Sequence, residues 1–309
     1  MNKIGFTKLH DKEKFTPKKI NFYSDRSLDK ICEVDLSDFN SEDCRYTTLK
    51  RSSLINFLKR DLGDIIKTGF NISKIDQNDR RIELSFENNE VNECDYLIIS
   101  DGVFSKSKNL ISNNLIKPKY NGTLAIRGVL NKSFENIDNK NISLFLGSNF
   151  HQVIYPTSPH GDLNFIAIMK YQLSTDEQKN YLLFSKDSFI KQVLKKIPSN
   201  NKEFLDNLKG LKIFPVFVSN DIYKLQNENI HLIGDAFFAF PPSFAQGASQ
   251  SIESAYELFN YIENNTDSNF FKNRINKTKM VNFRSKFNQF VFHLSNPLTI
   301  FSFFLKYSC

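Results

Sequence analysis

The sequence predicts a mixed α/β (α+β) protein, and three observations predict it. An apolar run, HLIG at 231–234, leads through a loop with one carboxylate and two prolines into a segment of helical periodicity. A second apolar run at 96–99 leads into Asp101-Gly102. Residues 119–169 carry two stretches of alternating apolar and polar residues with turn residues between them, the mark of antiparallel strands.

Residues 1–45 are polar and charged, with apolar patches at 20–23 and 31–36, which predict a helix end and one or two strands. The run YTTLKRSSLINFL at 46–58 predicts a helix. Leu54, Ile55, Phe57 and Leu58 supply its stripe, and Ser52 or Ser53 is placed to cap it. Residues 70–86 predict a hairpin turning at 77–79. After the strand at 96–99, Asp101-Gly102 is followed by Ser105 and Lys108; on its own an Asp-Gly pair is a simple turn. The stretch 144–169 predicts two strands around a Pro-His-Gly turn. Residues 185–208, with Phe189, Val193 and Ile197 at helical spacing, predict one or two surface helices. Ile252, Ala255, Tyr256, Phe259 and Ile262 predict a longer helix with one buried face. Its first-turn N–H groups lack intrahelical acceptors, and its dipole favours negative charge ahead of Gly247. Phe-rich residues 281–305 close the chain. Asn288, His293, Asn296 and Pro297 interrupt that run and argue against a membrane-spanning segment.

The 309 residues suffice for one large domain or two smaller ones with a sizeable core. Net charge is +7, yet no compact Lys/Arg block occurs, so nucleic-acid binding has no motif to support it. Cys32, Cys44, Cys94 and Cys309 show no metal-ligand spacing and read as reduced thiols. The first residues lack the apolar core of a signal peptide, which makes cytoplasm the expected location. His151 and His160 invite a catalytic reading, but a lone His on a strand or in a turn is more often structural.

The stretch at 231–262 closely resembles the second flavin-binding motif of the class A FAD-dependent aromatic hydroxylases, the p-hydroxybenzoate and salicylate hydroxylase family. The matching residues are Gly234, Asp235, Ala236, Pro241, Pro242, Gln246, Gly247, Ala248, Glu253 and, one residue further than usual, Ala255. The strand, Asp101-Gly102 and Ser105 resemble a second family motif, with Lys108 where the family has Arg. Arg51, before Leu54, matches the spacing of a family Arg that reaches the FAD; otherwise an Arg beside a helix start is a solvated surface residue. Tyr120, Gly122 and Ile126-Arg127-Gly128, then Gly147, Tyr155-Pro156 and Asn164-Phe165, resemble the start and body of the family's substrate sheet. FHLSNPLTIF at 292–301 resembles the C-terminal helices of the salicylate-type branch.

The resemblance implies an incomplete Rossmann-like FAD-binding domain, an antiparallel-sheet substrate domain and C-terminal helices. The expected boundaries are 1–118 and 221–309 for the two parts of the FAD-binding domain, and 119–220 for the substrate domain. It also implies an NAD(P)H-dependent FAD monooxygenase, in which a flavin C4a-hydroperoxide delivers OH to a small aromatic substrate. Cofactor contacts fall on Arg51, Asp101, Gly102, Gly234, Asp235, Gln246, Gly247 and Ala248. Asp235 would hydrogen-bond the ribityl chain, Gly247 and Ala248 would face the N1/C2=O edge of the flavin, and Pro242 would sit beside the reacting edge. Phe238 replaces a family His. The family's opening strand–GxGxxG–helix unit has no match here: the only early glycine, Gly5, is followed by Phe-Thr-Lys. The expectation is therefore a truncated form of a working hydroxylase; the alternative is a non-catalytic remnant that binds a ligand or partner. No metal is implied. The absence of Trp disfavours a flavin halogenase. The Phe-rich C-terminus is expected to pack against the FAD domain, with peripheral contact to a membrane surface as the alternative.

Overall fold

The computed structural model describes the chain except residues 42–44, 78–80, 113–115, 132–133, 135–136, 160–162, 224, 226–227, 244, 265–269 and 295–309. In chain order come β1 (Lys14–Phe15), β2 (Lys19–Ser24), β3 (Lys30–Asp35), β4 (Thr48–Leu49) and α1 (Arg51–Lys59). Next are β5 (Ile72–Gln77), β6 (Ile82–Phe86), β7 (Val91–Cys94), β8 (Leu97–Ile99) and α2 (Lys106–Ser112). Then follow β9 (Lys119–Leu130), β10 (Ile142–Gly147), β11 (Phe150–Pro156), β12 (Leu163–Lys170), α3 (Thr175–Lys179), α4 (Asp187–Leu194), α5 (Lys202–Asp206) and β13 (Leu208–Val218). The chain closes with β14 (Ile230–Leu232), α6 (Gly234–Phe237), α7 (Gly247–Asn264) and α8 (Phe270–Phe292). The mixed α/β class with C-terminal helices is as the sequence predicts.

The elements form two compact units. The first comprises Met1–Gly63, Gly122–Val216 and Gln289–Cys309. Its centre is a seven-stranded sheet ordered β13-β9-β12-β11-β10-β2-β3. The pairings from β9 to β10 are antiparallel, and β2 lies parallel to β10 with Ile20 opposite Ile142. Phe145, Phe165, Leu124, Ile126 and Ile154 are fully buried and make its core. The strands expected within 1–45 are β2 and β3. The two strands expected over 144–169 are three, because Asn149 takes φ 63 and closes a tight turn between β10 and β11. Lys50, with extended backbone and no capping side chain, precedes α1; Ser52 and Ser53 lie inside the helix, so neither caps it.

His151 of β11 and His293 form a buried pair in this unit, Nδ1 to Nε2 at 2.8 Å. Burial holds His151 well below the usual histidine range, with His293 adding to the effect. Burial, helped by the Lys170 cation, lowers His293 to about 4. His151 is thus a structural histidine; His160 lies outside the described residues.

The second unit comprises Asp64–Asn121 and Phe217–Asn288. The expected hairpin is β5–β6, joined by β7 in a three-stranded antiparallel sheet. β8 and β14 form a parallel pair. Ile82, Leu97, Ile99, Ile230, Leu232 and Ala236 share one apolar core with Phe237 and Phe238.

Candidate functional site

The site begins with the register of two strands. Leu232 of β14 lies opposite Ile99 of β8, and the Ile233 N–H donates to the Ile99 carbonyl at 3.0 Å. The strands are parallel and stop at the same level. Asp101-Gly102 and Gly234-Asp235 therefore leave the carboxyl ends side by side, where ligands of parallel α/β sheets bind. Gly102 takes φ 86 and Gly234 φ 57, left-handed turns in which glycine is favoured.

Three hydrogen bonds lock these turns. Asp101 accepts from the Ser107 N–H at 3.1 Å, and Ser105 Oγ from the Lys108 N–H at 3.0 Å; together they satisfy two of the opening donors of α2. Lys108 is buried, and its Nζ donates to the Ala236 carbonyl at 3.1 Å, tying the Asp-Gly segment to the Gly-Asp-Ala segment. Burial pushes the Lys108 pKa down, while the Asp101 charge opposes that shift. A sequence reading sees this Lys only as a substitute for Arg; here it is a tether.

From Gly234 the chain makes a single helical turn, α6, which carries Asp235 and stands where the sequence suggests only a loop; the Phe238 N–H bonds to the Gly234 carbonyl at 3.0 Å. Phe238, standing where the family has His, is buried against the Phe240 ring at 5.1 Å. Pro242 is half-buried. Its neighbour Ser243 donates to the Ser285 carbonyl and accepts at its own carbonyl from Asn288 Nδ2, which anchors the loop on α8.

The start of α7 faces this loop. The Gln250 N–H donates to the Gln246 carbonyl at 2.8 Å, closing the first turn. Gly247 and Ala248 are exposed, and no atom lies within 4 Å of where a Gly247 Cβ would stand. The backbone there is open to close approach by a ligand. A small open pocket is lined by Gly234, Asp235, Gly247, Gln250, Arg274 and Thr278, with Phe237, Phe238, Phe240 and Ser254 completing its wall. An exposed carboxylate and the positive end of an 18-residue helix thus share one concavity. That arrangement suits a ligand with hydroxyls for Asp235 and electron-rich acceptors for the helix start, which is the donor and acceptor order of a ribityl-flavin.

The structure therefore brings Gly234, Asp235 and Gly247 together on one pocket, with Gln246 and Ala248 flanking Gly247 in sequence. Asp101 and Gly102 sit at the adjacent strand end. Arg51 opens α1 as an exposed residue of the other unit. Sequence reasoning misses Arg274, which is 4% exposed. Its Nη1 is 3.0 Å from Glu257 Oε2 and 3.6 Å from Glu253 Oε2, and its Nη2 is 2.6 Å from Gln250 Oε1. Lys277 pairs with the same two glutamates. Glu253 and Glu257, one helical turn apart, are the signal that could have called for a cationic partner.

The family model described as "FAD binding domain" matches residues 67–265. Among curated proteins, none matches the sequence. Among solved structures, HpxO of Klebsiella pneumoniae complexed with FAD and uric acid superposes with a TM-score of 0.82 at 13% identity, covering 99% of this chain and 80% of that one. A salicylate hydroxylase substrate complex gives a TM-score of 0.74 at 16% identity, covering 96% and 79%. The 2,6-dihydroxypyridine-3-hydroxylase of Arthrobacter nicotinovorans gives 0.71 at 15% identity, covering 91% and 75%.

Proposed function

Because the chain belongs to the FAD binding domain family and has the fold of the class A FAD-dependent aromatic hydroxylases, we propose that it binds FAD at the Asp235–Gly247 pocket and serves an NAD(P)H-dependent monooxygenase reaction on a small aromatic substrate. The observation that carries this reading is geometric. Asp235 and Gly247, twelve positions apart at a strand end and a helix start, line the same pocket. Bound FAD would supply the redox chemistry, taking electrons from the reduced nicotinamide and activating oxygen.

The residues supply position and electrostatics. Asp235 accepts hydrogen bonds from ribityl hydroxyls. The Gly247 and Ala248 N–H groups, at the positive end of α7, stabilise negative charge on the pyrimidine edge of the ring. Gln246 fixes that first turn through its carbonyl. Gly102 and Gly234 shape the two strand-end turns, and Asp101 holds α2 in place beside them. Pro242, in a loop pinned to α8, borders the reacting edge and excludes water from it. We assign the unit of Asp64–Asn121 and Phe217–Asn288 to cofactor binding and the seven-stranded sheet of the other unit, which takes in β2 and β3 as well as the strands of the expected 119–220, to the substrate. The uric acid complex of HpxO and the substrate complex of salicylate hydroxylase support a small aromatic ring as the substrate class.

The test adds FAD to the purified chain, reads the thermal midpoint, and then follows NADH and NADPH oxidation with a panel of hydroxylated aromatics. Stabilisation by FAD and substrate-stimulated oxidation are expected. Stabilisation without oxidation would favour a ligand-binding protein of the same family, and no stabilisation would remove the flavin reading.

A further inference from the structure

One face of α8 has no role in the flavin reading. The inner side of this helix is well buried: Arg274, Thr278, Val281, Ser285 and Asn288 are all under 5% exposed. On the outer side Met280 is 46% exposed, Phe283 70% and Phe287 41%, and the two Phe rings stack on each other with centroids 6.4 Å apart. At about 100° per residue these three fall within one arc of about 60°. Exposed Lys279 and Lys286 flank that arc on one side, and exposed Arg284 on the other. The helix contains no acidic residue. Arg274 and Lys277 are neutralised by Glu253 and Glu257, whereas Lys279, Arg284 and Lys286 have no acidic partner among the described residues.

We propose that this face of α8 docks on an anionic lipid bilayer surface. Three large apolar side chains kept in water forgo the burial that folding would otherwise exploit. The charge pattern selects the occupant. A second copy of the chain would bring its own cations against these, and like charges opposed across an interface are repelled. A nucleic acid strand calls for cations tracking phosphates along the groove, whereas here the apolar residues hold the centre and the cations the margins. That order suits a bilayer: Phe and Met enter the headgroup–acyl boundary while long basic side chains reach the anionic headgroups. No helix among the described residues is long and apolar enough to cross a membrane, so the contact is peripheral.

The test is flotation of the full chain with phosphatidylcholine vesicles, with and without phosphatidylglycerol, at low and high salt. Binding is expected to the phosphatidylglycerol vesicles and to weaken with salt. Lys279→Glu/Arg284→Glu/Lys286→Glu should weaken it on the order of a hundredfold, and Phe283→Ser/Phe287→Ser at least about tenfold. Both variants change exposed side chains, so an unchanged thermal midpoint separates loss of docking from loss of fold. Three results would overturn the proposal: no vesicle binding, binding indifferent to phosphatidylglycerol, or binding unaffected by both variants. A Phe-dependent dimer without vesicle binding would assign the face to a second copy. Retention of a single-stranded oligonucleotide without vesicle binding would assign it to nucleic acid.

Discussion

Replacing Gly234 by alanine should strain the site in two separable ways. Gly234 sits at φ 57, a conformation that costs an L-residue about 1–2 kcal/mol. The added Cβ would also stand 2.8 Å from Ser251 Oγ and 3.3 Å from Ser251 Cβ. Ser251 Oγ must then swing away and give up its 2.9 Å bond to the Gly247 carbonyl, a further loss of about 0.5–1.5 kcal/mol. The single substitution should thus cost about 2–3 kcal/mol. Ser251→Ala removes the obstacle in advance. In that background Gly234→Ala should cost the backbone share and the remaining 3.3 Å contact with the Cβ of residue 251, leaving a coupling of about 1 kcal/mol between the two sites for the lost hydroxyl clash. Urea denaturation of the four proteins in the cycle measures this. Strictly additive effects, or a neutral Gly234→Ala, would show that Gly234 is not held against α7 as described.

The buried His151–His293 pair makes stability depend on pH. Both folded pKa values are depressed, so the pair's contribution is fully present above about 6.5. As pH falls, the unfolded chain takes up protons that the folded chain refuses, and stability drains away until about pH 4, where His293 titrates in the fold. The loss from His293 is on the order of 3 kcal/mol, and a thermal-midpoint profile from pH 7.5 to 4.5 should steepen below 6.5. Replacing both histidines by Met should flatten that profile; an unchanged slope would contradict the assignment. Arg274→Met should cost about 2–3 kcal/mol, less than the ~3–5 of a fully buried pair, because Glu253 and Glu257 keep about a third of their side chains exposed. Adding Glu253→Gln and Glu257→Gln should recover part of it in the same denaturation assay. Gly147→Ala would push a Cβ to within 1.8 Å of the buried Asp25 carboxylate and 2.0 Å of its Cγ and should lower stability by at least ~2 kcal/mol, with Asp25→Ala, which removes the γ atom, as the rescuing change.

Much of this architecture is legible in local patterns. The spacing of Ile252, Ala255, Tyr256, Phe259 and Ile262 marks α7, and the apolar runs before Asp101 and Gly234 mark the two parallel strands. What escaped lacked a local signal. α6 is four residues long, too short for any period. α8 begins at Phe270, eleven positions before the Phe-rich run at 281, in a Lys/Asn stretch whose apolar residues follow no single face. The parallel pairing of β2 with β10 joins residues more than a hundred positions apart, and no pattern in either strand names the other. At the site, Asp235 and Gly247 were readable because each belongs to a turn or helix start with its own chemistry. Arg274 was not, because its partners Gln250, Glu253 and Glu257 lie on another helix. Lys108 likewise shows its role only when Ala236 arrives from 128 positions away.

The most direct measurement is a fluorescence titration of FAD against the unaltered chain, Asp235→Ala and Gly247→Val. If the strand-end carboxylate and the helix-start amides hold the flavin, each substitution should raise Kd at least about tenfold, the equivalent of ~1.4 kcal/mol, with folding midpoints little changed because both positions are exposed. Equal Kd values for all three proteins, or no binding by the unaltered chain, would contradict the account.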